Sequence, residues 1–127
     1  MPPFELRERA FNFACAIVRF YFYLLDETRT PAKLADQLLR SGTSPSASLE
    51  EAEAAHSHPD FIVKISTALK EMREAHHWLR LLQACDLASA DRITPLLAEA
   101  HQLANIFGSI RINAGHRRNE RKPRPRV

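Results

Sequence analysis

Glycine is scarce, with 3 in 127 residues, and the 8 prolines lie largely at the two ends and between helical patterns. That is the punctuation of an all-helical domain. Cysteine is scarcer still. Cys15 and Cys85 both sit in helical patterns, which excludes a disulfide framework and reads as buried free thiols. No run approaches the roughly 18 consecutive apolar residues of a membrane span. The start Met1-Pro2-Pro3-Phe4-Glu5 lacks the basic residues of an export signal, so a cytoplasmic location without a membrane partner is expected. Catalytic signatures are missing too. No Ser or Cys nucleophile stands in a motif with a histidine, and no Glu-x-x-His pair recurs as a ferritin-like di-metal centre requires. The sequence therefore assigns no catalytic residue, no metal ligand and no cofactor.

What is present is apolar periodicity. At 127 residues, 45% of them hydrophobic, the chain fits one domain with one core. The run from Phe61 to Leu82 keeps the most regular register: Phe61, Ile65, Ala68, Met72, Ala75, Leu79 and Leu82 follow at steps of four and three. Such steps make a helix seam, with Lys64, Lys70, Arg73, Glu74 and Arg80 on the face turned to water. A first helix over residues 4–25 has the seam Leu6, Ala10, Phe13, Ile17, Phe20 and Leu24. Beside it runs a second seam: Phe11, Ala14, Val18, Tyr21 and Leu25. Phe22 and Tyr23 carry aromatic surface nearly round this helix, which is more than one small bundle needs. Two readings stand, a well-buried helix or a subunit interface formed by Phe11, Phe20, Phe22 and Tyr23, with Trp78 as a further anchor. A fourth helix carries Ile93, Leu96, Ala100, Leu103, Phe107 and Ile110, and should fray after Asn113.

The second helix is the awkward one. Thr30 is a candidate N-cap before Pro31, and Leu34, Leu38 and Leu39 face inward. Then Ser41-Gly42-Thr43-Ser44-Pro45-Ser46-Ala47-Ser48 has the composition of a loop, and local propensity favours a break there. The alternative is one long helix, kinked where Pro45 cannot donate to the Ser41 carbonyl, with Ser41, Gly42, Ala47, Ser48 and Ala52 as a face of small side chains. Ser57 reads as the N-cap of the third helix, with Asp60 three residues on. His56 and His58 flank it, but two histidines without a third ligand are a weak metal signal.

Charge is unevenly spread. The net charge is +3, yet residues 115–127 hold Arg117, Arg118, Arg121, Lys122, Arg124 and Arg126 against Glu120. The remainder carries 12 basic and 14 acidic residues. The expected division is a bundle over residues 1–114 and a basic tail over 115–127, disordered because Pro123 and Pro125 interrupt it and Val127 is its one large apolar residue.

Residues Gln37 to Leu82 resemble a known family. Gln37, Leu38, Leu39, Arg40, Ser41, Thr43, Ser44, Ala47, Glu51 and Ala52, then Phe61, Ile62, Lys64, Ala68, Leu69, Lys70 and Glu71, then Trp78, Leu79, Leu81 and Leu82 match the four-helix-bundle proteins encoded in intervening sequences of bacterial 23S ribosomal RNA genes. Pro45-Ser46-Ala47-Ser48 departs from the usual Ile-Gly-Ala-Asn. The resemblance implies an all-α, antiparallel up-down-up-down four-helix bundle with a continuous, Pro-kinked second helix. It also implies a ring of five chains and no catalytic residues. A related group serves as the accessory subunit of diversity-generating retroelements, binding a reverse transcriptase and nucleic acid.

The expected function is a non-enzymatic, homo-oligomeric scaffolding protein, most simply a pentamer, whose tail cations contact RNA or DNA. One alternative is an accessory subunit binding a reverse transcriptase and nucleic acid. A third reading is a metal-dependent hydrolase whose site assembles between subunits from His56, His58, His76, His77 and glutamates.

Overall fold

A computed structural model describes the backbone of residues 3–121 and the side chains of residues 5–116. Four helices follow one another: α1 (Pro3–Glu27), α2 (Ala32–Glu53), α3 (His58–Ala84) and α4 (Ala90–Arg121). Connections of four, four and five residues separate them, too short for anything but antiparallel neighbours. Pairs across each seam give the same direction. Arg7 of α1 meets Glu53 of α2 at 2.8 Å, whereas Tyr21 donates to Asp36 at 2.9 Å. Lys64 meets Glu51 at 3.1 Å and Arg40 meets Glu71 at 2.7 Å, so α2 and α3 also run oppositely. The same holds for α3 and α4, where His58 reaches Ala114 and His76 reaches His101. Arg9 pairs with Glu99 while Tyr23 meets Ser89, which closes the bundle between α1 and α4.

The three seams predicted for α1, α3 and α4 form the core. Leu6, Ala10, Phe13, Ile17, Phe20 and Leu24 are all buried, as are Ile65 through Leu82 of the α3 seam and Ile93 through Phe107 of the α4 seam. Phe61 and Ile110, at the seam ends, are half-buried against that core. Burying each Leu or Ile side chain contributes about 1.5–3 kcal/mol, so these stripes outweigh any single surface pair, worth at most about 1 kcal/mol.

Caps and turns follow local chemistry. Ser57 is the N-cap of α3, and its hydroxyl oxygen accepts the Asp60 amide at 3.2 Å. At α2 the boundary differs by one residue from the expectation: Pro31 is the cap, and Thr30 is buried, with its amide donating to the Thr28 hydroxyl. After α3 the chain turns at Asp86, whose positive φ of 54° is adoptable because its short polar side chain tolerates the left-handed region.

α2 runs unbroken through Pro45. The break that local propensity favoured does not occur, and the continuous helix implied by the family resemblance does. Tertiary burial explains the outcome: Pro45, Ser41, Gly42 and Ser48 all face the bundle interior. The hydroxyls of Ser41 and Thr43 donate back to the Gln37 and Leu39 carbonyls at 2.8 and 2.7 Å, so these side chains satisfy themselves inside the helix. Replacing Pro45 by alanine is expected to leave helical content unchanged. The regained backbone bond, worth about 1 kcal/mol, is offset by the lost ring methylenes at about 0.8 kcal/mol each. A net shift of about 1 kcal/mol in denaturant unfolding would fit; a large loss of helix signal by circular dichroism would contradict it.

The small-residue face of α2 is used within the bundle rather than offered to a second chain. Ser41, Gly42, Ser48 and Ala52 are buried, while Ala47 is exposed. At the other end, α4 continues past Asn113 to Arg121, beyond the expected fraying point. Gly115 lies inside this helix.

Candidate interaction surface on the first helix

Among the described residues α1 packs along α2 and α4, and its seam with α4 is the thinnest of the four. The face of α1 turned away from both neighbours is left uncovered. On it stand Phe11 and Phe22, each 58% exposed, and Val18 and Leu25, each 39% exposed. With half-buried Cys15 between them, these positions follow at steps of four, three, four and three. That is the spacing of a coiled-coil seam, in which apolar residues line one stripe facing a partner helix. Single exposed apolar residues are ordinary on a soluble protein. An aligned row on one helix is a different feature, because it keeps a contiguous apolar strip in water.

The structure divides the five aromatic residues expected at an interface. Phe11 and Phe22 lie on the open strip. Phe20, at 3% exposure, belongs to the bundle core, because it continues the Leu6-to-Leu24 seam. Tyr23 is half-buried and engaged with α4: the Ser89 amide donates to its hydroxyl oxygen at 3.1 Å, and the Arg92 guanidinium lies 4.5 Å above its ring. The Ser89 bond holds the phenol below its ordinary pKa. Tyr21, on the other flank, donates to Asp36, which raises its pKa by favouring the protonated form. Tyrosines thus tie α1 to its two neighbours, and Phe22 stands between them with its ring edge-on to Tyr21.

Trp78 sits elsewhere. It follows Glu71 and Glu74 at helical spacing on the α2 side of α3, half-buried against the core, with the His77 ring edge-on at 5.0 Å. Its Nε1 is buried without a hydrogen-bond partner. The cations expected to contact nucleic acid fall beyond the described side chains: the α4 backbone reaches Arg121, while the side chains of Arg117, Arg118 and Arg121 and all of Lys122, Arg124 and Arg126 lie outside the described residues.

His56 and His58 do not converge with His76 and His77 within the chain. His58 Nε2 donates to the Ala114 carbonyl at 2.9 Å and the ring stacks on Phe61, which ties the start of α3 to α4. His76 stands 18 residues further along α3, roughly 27 Å away at 1.5 Å per residue. Among the described residues no three His, Cys, Asp or Glu side chains group to hold a metal ion. Both cysteines are free; Cys15 is half-buried, and Cys85 is exposed rather than buried because it lies at the α3 C-terminus. No helix among the described residues is long and apolar enough to cross a membrane.

Fold and surface together define an all-α four-helix bundle with an uncovered apolar strip on its first helix. The chain belongs to the 23S rRNA-intervening sequence protein family, whose sequence model matches residues 4–109. A solved structure from Bacteroides thetaiotaomicron, a protein with unknown function from the S23 ribosomal protein family, is 33% identical to it. Their superposition has a TM-score of 0.79 and covers 84% of this chain and 97% of that one. No curated protein matches the sequence.

Proposed function

We propose that the chain is a non-enzymatic scaffolding subunit that assembles with copies of itself in the cytoplasm, closing as a pentamer, and contacts RNA or DNA through its basic C-terminal segment. The exposed row Phe11, Val18, Phe22 and Leu25 carries this reading, since a second copy burying it would remove four large apolar side chains from water. A closed ring of five needs two different surfaces per protomer, one meeting the other head to tail. The α1 strip is one of them. The tail cations supply the electrostatic contact to phosphates, and several tails on one assembly multiply weak contacts by avidity.

Light scattering coupled to gel filtration tests the assembly. A mass near five times the 14.5 kDa protomer is expected, and a clean monomer at micromolar concentration overturns it. Deleting residues 115–127 tests the tail. The number of protomers should stay the same and the helix signal should fall only by the last turns of α4, residues 115–121, while binding to single-stranded nucleic acid weakens. With six cations per tail, the log-log salt slope loses at most about 4 for each tail engaged. Unchanged affinity and slope in the truncated chain would place the contact on the bundle.

A further inference from the structure

A cleft of about 310 Å³ opens between α3 and α4, lined by Arg73, His76, His77 and Arg80 on one side and His101 and Asn105 on the other. Its volume lies at the lower end of small-ligand sites. On α3, Arg73, His77 and Arg80 follow at steps of four and three, so their side chains rise from one face. The rings of His76 and His101 meet across the helix boundary with centroids 5.8 Å apart, and Asn105 lies 3.4 Å from His101.

The sign of the charge is one-sided. No carboxylate lines the cleft, and among the described residues neither Arg73 nor Arg80 has an acidic partner within ion-pair distance. The glutamates nearest in sequence, Glu71 and Glu74, face the other way and are held by Arg40 of α2. Two guanidiniums without a carboxylate partner repel a metal cation. They suit an oxyanion instead, because a guanidinium fork matches phosphate oxygens and the imidazole N–H groups add donors.

We propose that the α3–α4 cleft is a phosphate-binding site, with Arg73 and Arg80 as the charged donors and His76, His77, His101 and Asn105 completing the ring of donors around the anion. The lining residues all belong to one protomer and precede residue 115, so deleting the tail leaves every one of them in place. A phosphate there sits beside two guanidiniums that repel each other. Burial, His101 and Arg80 together hold His76 below the ordinary histidine pKa, and a bound anion reverses that shift. Arg73, His77 and Arg80 on α3 and His101 and Asn105 on α4 are the charged or polar groups facing it. Affinity for a phosphodiester, which keeps its charge through this range, therefore rises as pH falls from about 7.5 to about 5.5.

The test titrates inorganic phosphate, a nucleoside monophosphate and a single-stranded oligonucleotide into the full chain, following the histidine and arginine side-chain resonances at constant ionic strength in chloride. Saturable shifts at His76, His101, Arg73 and Arg80 are expected. Saturation by phosphate or the monophosphate assigns the site to free phosphate groups. Saturation by the oligonucleotide alone assigns it to the nucleic-acid backbone. The Arg73→Gln/Arg80→Gln variant, altered only at exposed positions, should bind at least tenfold more weakly, and Arg73→Lys/Arg80→Lys should recover part of the loss. Deletion of residues 115–127 should leave the cleft resonances responsive, which separates this site from the tail contact. Chloride producing the same shifts, an absence of shifts with all three probes, or full affinity in the glutamine variant would each overturn the assignment.

Discussion

Replacing Gly42 by valine is expected to destabilise the folded chain by about 3 kcal/mol or more, and replacing it by alanine by about 1–2 kcal/mol. A Cβ built at Gly42 would lie 2.8 and 2.9 Å from the Cγ1 and Cγ2 atoms of Ile17 and 3.2 Å from its Cβ. Ile17 is fully buried, and a β-branched side chain in a helix has essentially one rotamer, so it cannot swing aside. Alanine would recover up to about 1 kcal/mol of helix propensity, which is why its net effect is smaller. Valine adds two methyl groups at the same crowded point. Denaturant unfolding at fixed protomer concentration reads both values. The Ile17→Ala exchange alone should cost about 2–5 kcal/mol. Combined with Gly42→Ala it should cost clearly less than the sum, because each change relieves the other. Additive losses would mean that α1 and α2 do not approach as closely at this point as the structure has them.

Aspartate at both Phe11 and Phe22 is expected to convert the assembly to monomers of 14.5 kDa while leaving the circular dichroism spectrum unchanged. Both side chains are already more than half exposed in the protomer, so the bundle core does not feel their loss. In an assembled interface the new carboxylates would be buried without partners, which costs several kcal/mol each and removes apolar contact besides. Phe20→Asp is the contrasting case. It places a charge in the bundle core and should unfold the chain. A double variant that keeps its full mass would exclude the outward face of α1 as the interface.

The two α1 variants separate residues that look equivalent in the sequence. Phe20, Phe22 and Tyr23 are all aromatic and within four positions of each other, and their chemistry alone does not say which one lies inside. The seam register places Phe20 correctly with Phe13, Ile17 and Leu24. It does not say whether the adjacent row from Phe11 to Leu25 is covered by α4. That depends on how far α4 leans toward α1, a property of the packed bundle. The α3–α4 cleft was hidden for a similar reason. His76 and His101 are 25 residues apart, so no local spacing joins them; the available signal was His76 beside an inward seam with two arginines at helical steps.

Sequence alone determined the helical class, the inward stripes of α1, α3 and α4, and the Ser57 cap, because a helix period and an oxygen side chain before an amide act over a few residues. Tertiary structure decided the rest. It carried α2 through Pro45, where burial of the ring and of Ser41 against the bundle outweighed a loop-forming composition. It set Gly42 against Ile17, left one face of α1 open, and drew Arg73, Arg80 and His101 around one cleft. Those outcomes depend on distances between helices, which local periodicity does not contain.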